Sequence, residues 1–282
     1  MEVTVMPPLK PVGYSDDALA FDFTSLYKDD LRFVTAWGQW FVWDGVSWRR
    51  EETGLVSNLV RDFCRSASSH CLNRREASRI SSARTIAAIE RLAQSDRRHS
   101  ATTDQWDRNL WLLNTPAGVV DLRTGKLRPA EREDYMTKIT AVAAGGDCPL
   151  WLSFLARITN DSKEFQDYIQ RMCGYVLTGT TSEHALFFLY GTGANGKSVF
   201  LNTISGAMGG YARAAPIATF TASTFESHPT DLAGLQGARL VTATEPDSGQ
   251  RWNESRIKLV TGGDPISARF MRQNFVEYLP QF

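Results

Sequence analysis

Gly191-Thr192-Gly193-Ala194-Asn195-Gly196-Lys197-Ser198 follows directly on the apolar run Ala185-Leu186-Phe187-Phe188-Leu189-Tyr190. A continuous apolar run of this length predicts a parallel strand buried on both faces. Ser198 to Ala207 reads as a helix. Strand, glycine-rich loop and helix, with the pattern Gly-x-x-x-x-Gly-Lys-Ser, form a phosphate-binding P-loop. Gly191, Gly193 and Gly196 are expected to take positive φ and let the backbone amides close on phosphate oxygens. The N-terminus of the following helix points at the same oxygens. Lys197 is expected to reach the β- and γ-phosphates, and the Ser198 hydroxyl to ligate magnesium. ATP with Mg2+ is therefore the expected ligand, held by Gly191, Thr192, Gly193, Ala194, Asn195, Gly196, Lys197 and Ser198.

Downstream, Ala238-Arg239-Leu240-Val241-Thr242-Ala243-Thr244 predicts a second buried strand, ending at Glu245. An acid at the carboxyl end of a strand in a doubly wound sheet lies where ligands collect. Glu245 is placed to orient the attacking water or to hold the magnesium shell; a solvated carboxylate in the next loop is the plainer alternative. Asp247 is a possible second acid. Farther on, Ile266-Ser267-Ala268-Arg269-Phe270 and Phe275-Val276-Glu277-Tyr278-Leu279 read as two strands around Met271-Arg272-Gln273-Asn274. Arginines at such a tip suit phosphate contact that ignores base identity. An ordinary solvated hairpin would carry them too.

Upstream, residues 1 to about 20 hold Pro7, Pro8, Pro11 and Gly13 and read as a loose lead-in. Asp44-Gly45, between Trp40-Phe41-Val42-Trp43 and Val46-Ser47-Trp48, predicts a hairpin with a tight turn. Its tryptophans suit cross-strand packing better than base stacking. Residues 55 to 95 carry helical spacings: Leu55, Leu59 and Phe63, then Ile80, Ile86, Ile89 and Leu92. Between Val56 and Ser100 nine arginines face four acids, a local excess of five (nine minus four). This is either a DNA-facing helical surface or a set of solvated faces with internal pairs. Arg123-Thr124-Gly125-Lys126 predicts a second hairpin. Ala143-Ala144-Gly145-Gly146-Asp147-Cys148-Pro149 is the best domain boundary. A helix pair follows it, the second helix starting at Asp161 with Glu164 as its capping partner and ending near Gly179. The domains read as 1–20, a lead-in; 21–145, an α+β N-terminal domain; 146–182, a helical connector; and 183–282, the P-loop core.

The bulk properties narrow the class. A chain of 282 residues with 43% hydrophobic content is long enough for two cores. Its formal net charge is zero, so nucleic-acid contact must come from a local basic surface. Four cysteines without a Cys-x-x-Cys pair indicate neither a zinc ribbon nor a disulfide framework. Neither a leader segment nor a membrane span is expected, and the cysteines read as reduced thiols of a cytoplasmic protein.

The sequence resembles the phage/plasmid primase family with a superfamily 3 helicase domain, the group that includes poxvirus-type primase-helicases. The resemblance runs from about Leu31 to the end. It is carried by Leu122-Arg123-Thr124-Gly125-Lys126-Leu127-Arg128-Pro129, by Asp134-Tyr135-Met136-Thr137-Lys138-Ile139-Thr140, by Phe187-Phe188-Leu189-Tyr190 leading into the P-loop, and by Thr261-Gly262-Gly263-Asp264-Pro265-Ile266. It implies an α/β P-loop core of the AAA+ type, preceded by a mixed α+β N-terminal domain. It also implies a homo-oligomer, hexameric when complete, that moves along single-stranded DNA with primase or other replication proteins as partners. Gly191 to Ser198 match the Walker A loop and Glu245 the Walker B acid. Lys258 through Arg272 match the helix and hairpin that project into the central channel, so Lys258, Arg269 and Arg272 are the expected DNA contacts. No position up to Phe282 matches the family's sensor asparagine or arginine finger. A truncated or split member is therefore expected, and whether the chain alone hydrolyses ATP stays open.

Overall fold

In the computed structural model, residues 13–222, 230–244, 251–269 and 275–282 are described. The chain forms two compact units, one ending at Trp106 and one running from Asp107 to Phe282. Both mix helices with small sheets. The Gly-rich stretch 143–149 thus lies inside the second unit.

The first unit opens with α1 (Asp16–Tyr27), capped by Ser15, whose hydroxyl accepts from the Ala18 N–H at 3.1 Å. Three antiparallel strands follow: β1 (Leu31–Val34), β2 (Gln39–Trp43) and β3 (Trp48–Arg50). Trp43 pairs with Trp48, so the β2–β3 turn takes in Val46 and Ser47 as well as Asp44-Gly45. The Asp44 carboxylate holds this wider turn by accepting from the Val46 and Ser47 amides at 3.0 and 2.7 Å. The expected tight turn is corrected accordingly. Three helices complete the unit: α2 (Leu55–Ser69), α3 (Arg74–Ile80) and α4 (Ala83–Ser95). Asn73 and Ser82 cap the last two.

The buried stripe of α2 is Val56, Val60 and Cys64, while Leu55 is exposed. The stripe expected at Leu55, Leu59 and Phe63 is displaced by one position, because Leu59 and Phe63 flank the core rather than centre it. Phe23, Leu31, Val60, Ile80 and Ile89 fill the core. Trp40 and Trp48 are buried, and Trp40 sits 5.0 Å from Phe33 and 5.4 Å from His99 between ring centroids. These two tryptophans pack, as expected of indoles in a hairpin.

The second unit begins with the antiparallel strands β4 (Leu112–Thr115), β5 (Gly118–Asp121) and β6 (Lys126–Arg128). The helix pair is α5 (Pro149–Ile158) and α6 (Lys163–Leu177). Ser162, not Asp161, caps α6, accepting from Phe165 N–H at 3.4 Å; Asp161 takes a left-handed φ of 59° outside the helix. The helix closes at Leu177, two residues before Gly179. Next come α7 (Lys197–Met208), β7 (Ala212–Ala214), α8 (Thr230–Ala233) and β8 (Leu240–Thr242), then α9 (Glu254–Thr261), β9 (Ile266–Ala268) and β10 (Val276–Tyr278). β7 and β8 are parallel; β9 and β10 are antiparallel.

The apolar run before the glycine-rich loop also departs from expectation. Residues 185–190 form no strand. Leu186, Phe188 and Tyr190 are exposed, Tyr190 by 81%. The parallel sheet among the described residues is the β7–β8 pair, and no ladder is made along the apolar run. Hydrophobicity favours burial but cannot supply the hydrogen-bonding partner that turns a run into a strand.

Candidate nucleotide site and hairpin

The loop at 191–196 turns through three left-handed residues: Gly191 (φ 141°), Ala194 (φ 61°) and Gly196 (φ 86°). Gly193 is not among them, so the conformational freedom expected of it falls to Ala194 instead. At Gly191 a Cβ would meet Asn195 Nδ2 at 2.4 Å; at Gly196 it would meet Ile158 Cγ2 at 2.8 Å and Phe154 Cε2 at 3.1 Å. Gly196 therefore lets the start of α7 pack against α5 as well as turn. Phe200, on the first turn of α7, is buried against Leu155 and Ile169 and stacks on Trp151 at 5.6 Å. That aromatic floor fixes the helix behind the loop.

No side chain caps α7. The first helical hydrogen bond runs from Phe200 N–H to Gly196 carbonyl at 2.9 Å, so the amides before it carry the positive end of the helix dipole. The Lys197 ammonium bridges its own loop: it donates to the Gly191 carbonyl at 2.9 Å, the Asn195 Oδ1 at 2.9 Å and the Thr192 carbonyl at 3.4 Å. Lys197 and Asn195 are thus brought together, a contact that the motif alone does not reveal. Ser198, in the first turn of α7, is exposed.

Strand β8 ends at Thr242, and Glu245 and Asp247 lie outside the described residues. The hairpin is present as β9–β10, with Ile266 opposite Tyr278 and Ala268 opposite Val276. Its inner residues Ile266, Ala268 and Tyr278 pack with Leu232 and Val260, and the Tyr278 hydroxyl donates to the Leu232 carbonyl at 2.5 Å. Arg269, just past β9, is exposed and lies 4.7 Å over the Phe275 ring. Lys258 is exposed on α9. Arg272 is outside the described residues.

Two features behind the site escape motif reading. Arg239 is 3% exposed and has no carboxylate partner among the described residues. Its guanidinium donates to carbonyls of Leu177 (2.7 Å), Leu112 (2.8 Å) and Asn109 (3.3 Å) and lies 4.7 Å over Tyr211. It joins the end of α6 to the start of β4. Burial lowers its pKa and pushes the Tyr211 phenol up to about 12. The only sequence signal was a charge inside an apolar strand pattern. The second feature is the segment after Asp134. Arg128 grips the Asp134 carboxylate at 2.8 and 2.6 Å, and the Ile139 carbonyl accepts from Gly210 N–H at 2.8 Å, just past α7. Two of the stretches that carry the resemblance are thereby tied to each other and to α7.

Comparison with known proteins bears on this arrangement. Residues 22–160 match the family described as D5 N terminal like. A 184-residue stretch, 62% of this chain, is 30% identical to a protein of Acanthamoeba polyphaga mimivirus named "Putative helicase L207/L206". The match spans 19% of that relative's length. Both similarities support the resemblance read from the motifs, at the level of a helicase-like protein with a D5-type N-terminal region. Among the described residues no helix is long and apolar enough to cross a membrane.

Proposed function

We propose that the chain is the nucleotide-binding part of an ATP-dependent DNA helicase or translocase of the primase-helicase type, serving phage or plasmid DNA replication. The observation that carries the reading is the glycine-rich loop opening directly onto the uncapped N-terminus of α7, with Lys197 inside its curve. The similarity to a protein named as a helicase supports the DNA-motor part.

The residues fit a triphosphate and its metal. The positive φ of Gly191 and Gly196 sets the curve of the loop, and the first-turn amides of α7 offer donors for an anion. Lys197 would exchange the loop carbonyls for phosphate oxygens, and Asn195 would keep its ammonium over the loop meanwhile. The Ser198 hydroxyl would be one magnesium ligand and Glu245 the acid opposite. Bound magnesium would neutralise charge on the β- and γ-phosphates. Lys258, Arg269 and Arg272 would contact single-stranded DNA in a homo-oligomeric ring, with primase or other replication proteins alongside.

The test is ATP binding and turnover with magnesium, with and without single-stranded DNA. Wild type should bind ATP, and Lys197→Ala should lose binding and any DNA-stimulated turnover. Retained turnover in Lys197→Ala would sink the reading. Binding without turnover would assign the chain to a hydrolytically weak module that modulates DNA or a complete helicase.

A further inference from the structure

The nucleotide site leaves the arginines of the first unit unexplained. Residues 13–106 carry thirteen basic and thirteen acidic side chains, so a face of one sign there arises by segregation, not by surplus. Such a face lies on α3 and α4. Between Asn73 and Arg97 the exposed charged residues are Arg74, Arg75, Arg79, Arg84, Arg91 and Arg97. The other exposed residues of the stretch are Asn, Ser, Ala and Leu92. Its three acids are half-buried and engaged. Glu90 accepts from the Ser57 hydroxyl on α2 at 2.7 Å, Asp96 holds Arg98 at 2.7 Å, and Glu76 lies 4.0 Å from Arg79. Arg79 is also held by Asp16 at 3.1 Å. Arg74, Arg75, Arg84 and Arg91 make no ion pair among the described residues.

Helical geometry sets where these four point. Ile80 of α3 and Ile89 of α4 are fully buried in one core. Arg74 and Arg75 lie about 120° and 140° around α3 from Ile80, and Arg84 and Arg91 about 140° and 160° around α4 from Ile89. All four turn away from that core, on helices joined by Ser81 and Ser82 alone. Arg84 and Arg91 share one stripe of α4, about 10 Å apart along the axis. Ala87 and Ala88 flank the stripe between them, so no bulky side chain keeps another surface away.

A solvated face intersperses both signs, whereas a face of one sign concentrates a polyanion. Guanidinium groups without an aromatic ring among them suit phosphates rather than stacked bases. The spacing favours a duplex. The major groove of B-DNA is about 12 Å wide and admits an α-helix. Two guanidinium groups about 10 Å apart on a helix of low profile reach the phosphates on its two sides. Arg74 and Arg75 then meet the neighbouring backbone, as the first helix does in helix-turn-helix docking.

We propose that the outer face of α3 and α4 binds duplex DNA, with α4 along the major groove and Arg74, Arg75, Arg84 and Arg91 on phosphates, independently of the nucleotide site. The choice of DNA rests on the function proposed above; the segregation of charge does not.

The test uses the full chain without nucleotide and a fluorescent 20-base-pair DNA duplex, with anisotropy followed across a salt titration. Arg74→Gln/Arg75→Gln/Arg84→Gln/Arg91→Gln should weaken binding at least tenfold near 0.1 M salt. It should also flatten the log–log salt slope by about 3 to 4, four phosphates at roughly 0.9 each. Arg49→Gln/Arg50→Gln/Arg61→Gln/Arg65→Gln removes the same charge from β3 and α2 and should change affinity less than threefold. Ser95→Arg, one turn beyond Arg91, should tighten binding severalfold, a gain that misfolding cannot imitate. Lys197→Ala should bind the duplex like wild type, which separates this face from the ATP reading. Unchanged affinity and slope in the α3–α4 variant overturn the proposal, as does an equal loss in the β3–α2 variant or a wild type that does not bind. An A-form RNA duplex, whose deep and narrow major groove excludes a helix, should bind at least tenfold more weakly. Equal affinity for that duplex or for single-stranded oligo-dT through the same arginines overturns the choice of duplex DNA.

Discussion

The two units solve the burial of apolar residues in different ways. In the first, Phe23, Leu31, Trp48, Val60, Ile80 and Ile89 are each no more than 1% exposed, and antiparallel strands close on their sequence neighbours. In the second, burial is divided among smaller clusters, and Leu186, Phe188 and Tyr190 stay exposed beside the glycine-rich loop. The second unit also buries charge and phenol, Arg239 on Tyr211, where the first buries indole rings. Local pairing builds a dense core from short-range contacts. Parallel pairing such as β7–β8 must bring together residues far apart in the chain and leaves more of its surroundings open.

The largest test of this contrast is Trp48→Ala. The site is fully buried, and its loss should cost about 3–5 kcal/mol of first-unit stability in urea unfolding. A cost below about 1 kcal/mol would mean that the first unit is loosely packed. Next is Arg239→Met, which leaves buried carbonyls of Leu177 and Leu112 without their donor. The expected loss is about 2–4 kcal/mol, in the second unit. Stability gained instead would show that an apolar side chain fills that position better.

A smaller effect should follow pH. His99 is fully buried; its Nδ1–H donates to the Leu31 carbonyl at 3.1 Å, and burial lowers its pKa. Its folded pKa lies below the unfolded value of about 6.5, so the unfolded chain binds the extra proton as pH falls. First-unit stability should therefore be complete above about pH 6.5 and decline below it, by up to about 1.4 kcal/mol per pH unit from this group. Wild type and His99→Gln compared by urea midpoint at pH 7.5 and 5.5 should differ in that slope, and identical slopes would exclude His99 as the cause. The smallest effect belongs to Phe188→Ser, at 60% exposure in the wild type. Its stability should change by less than about 0.5 kcal/mol. A loss above 2 kcal/mol would restore the buried strand that the apolar run predicts and erase the contrast between the units.

Legibility followed the same division. The β2–β3 and β5–β6 hairpins, the helices across 55–95, the α5–α6 pair and α7 could be read because each is decided by residues near one another. The α2 stripe was misplaced by one position because Leu55 and Val56 are equally apolar, and only packing separates them. The run 185–190 misled because its outcome depends on a distant partner strand. At the candidate site, the positive φ of Gly191 and Gly196 was legible, and that expected of Gly193 falls on Ala194. The hold of Asn195 on Lys197 was not, since an amide in a loop has many possible partners. The role of Arg239 was hidden because backbone carbonyls leave no mark in the sequence.

Helix α7 begins at Lys197, and its far end is pinned where Gly210 donates to Ile139 and Ala141 donates to the Ala207 carbonyl at 3.0 Å. Twelve helical residues make a stiff rod about 18 Å long. Those hydrogen bonds tie the rod to the strap of chain that leads back through Asp134 to the β6 strand. Its two ends therefore behave as one lever: a small shift of the ammonium-bearing end along the axis arrives with little loss at a segment more than fifty residues earlier in the chain.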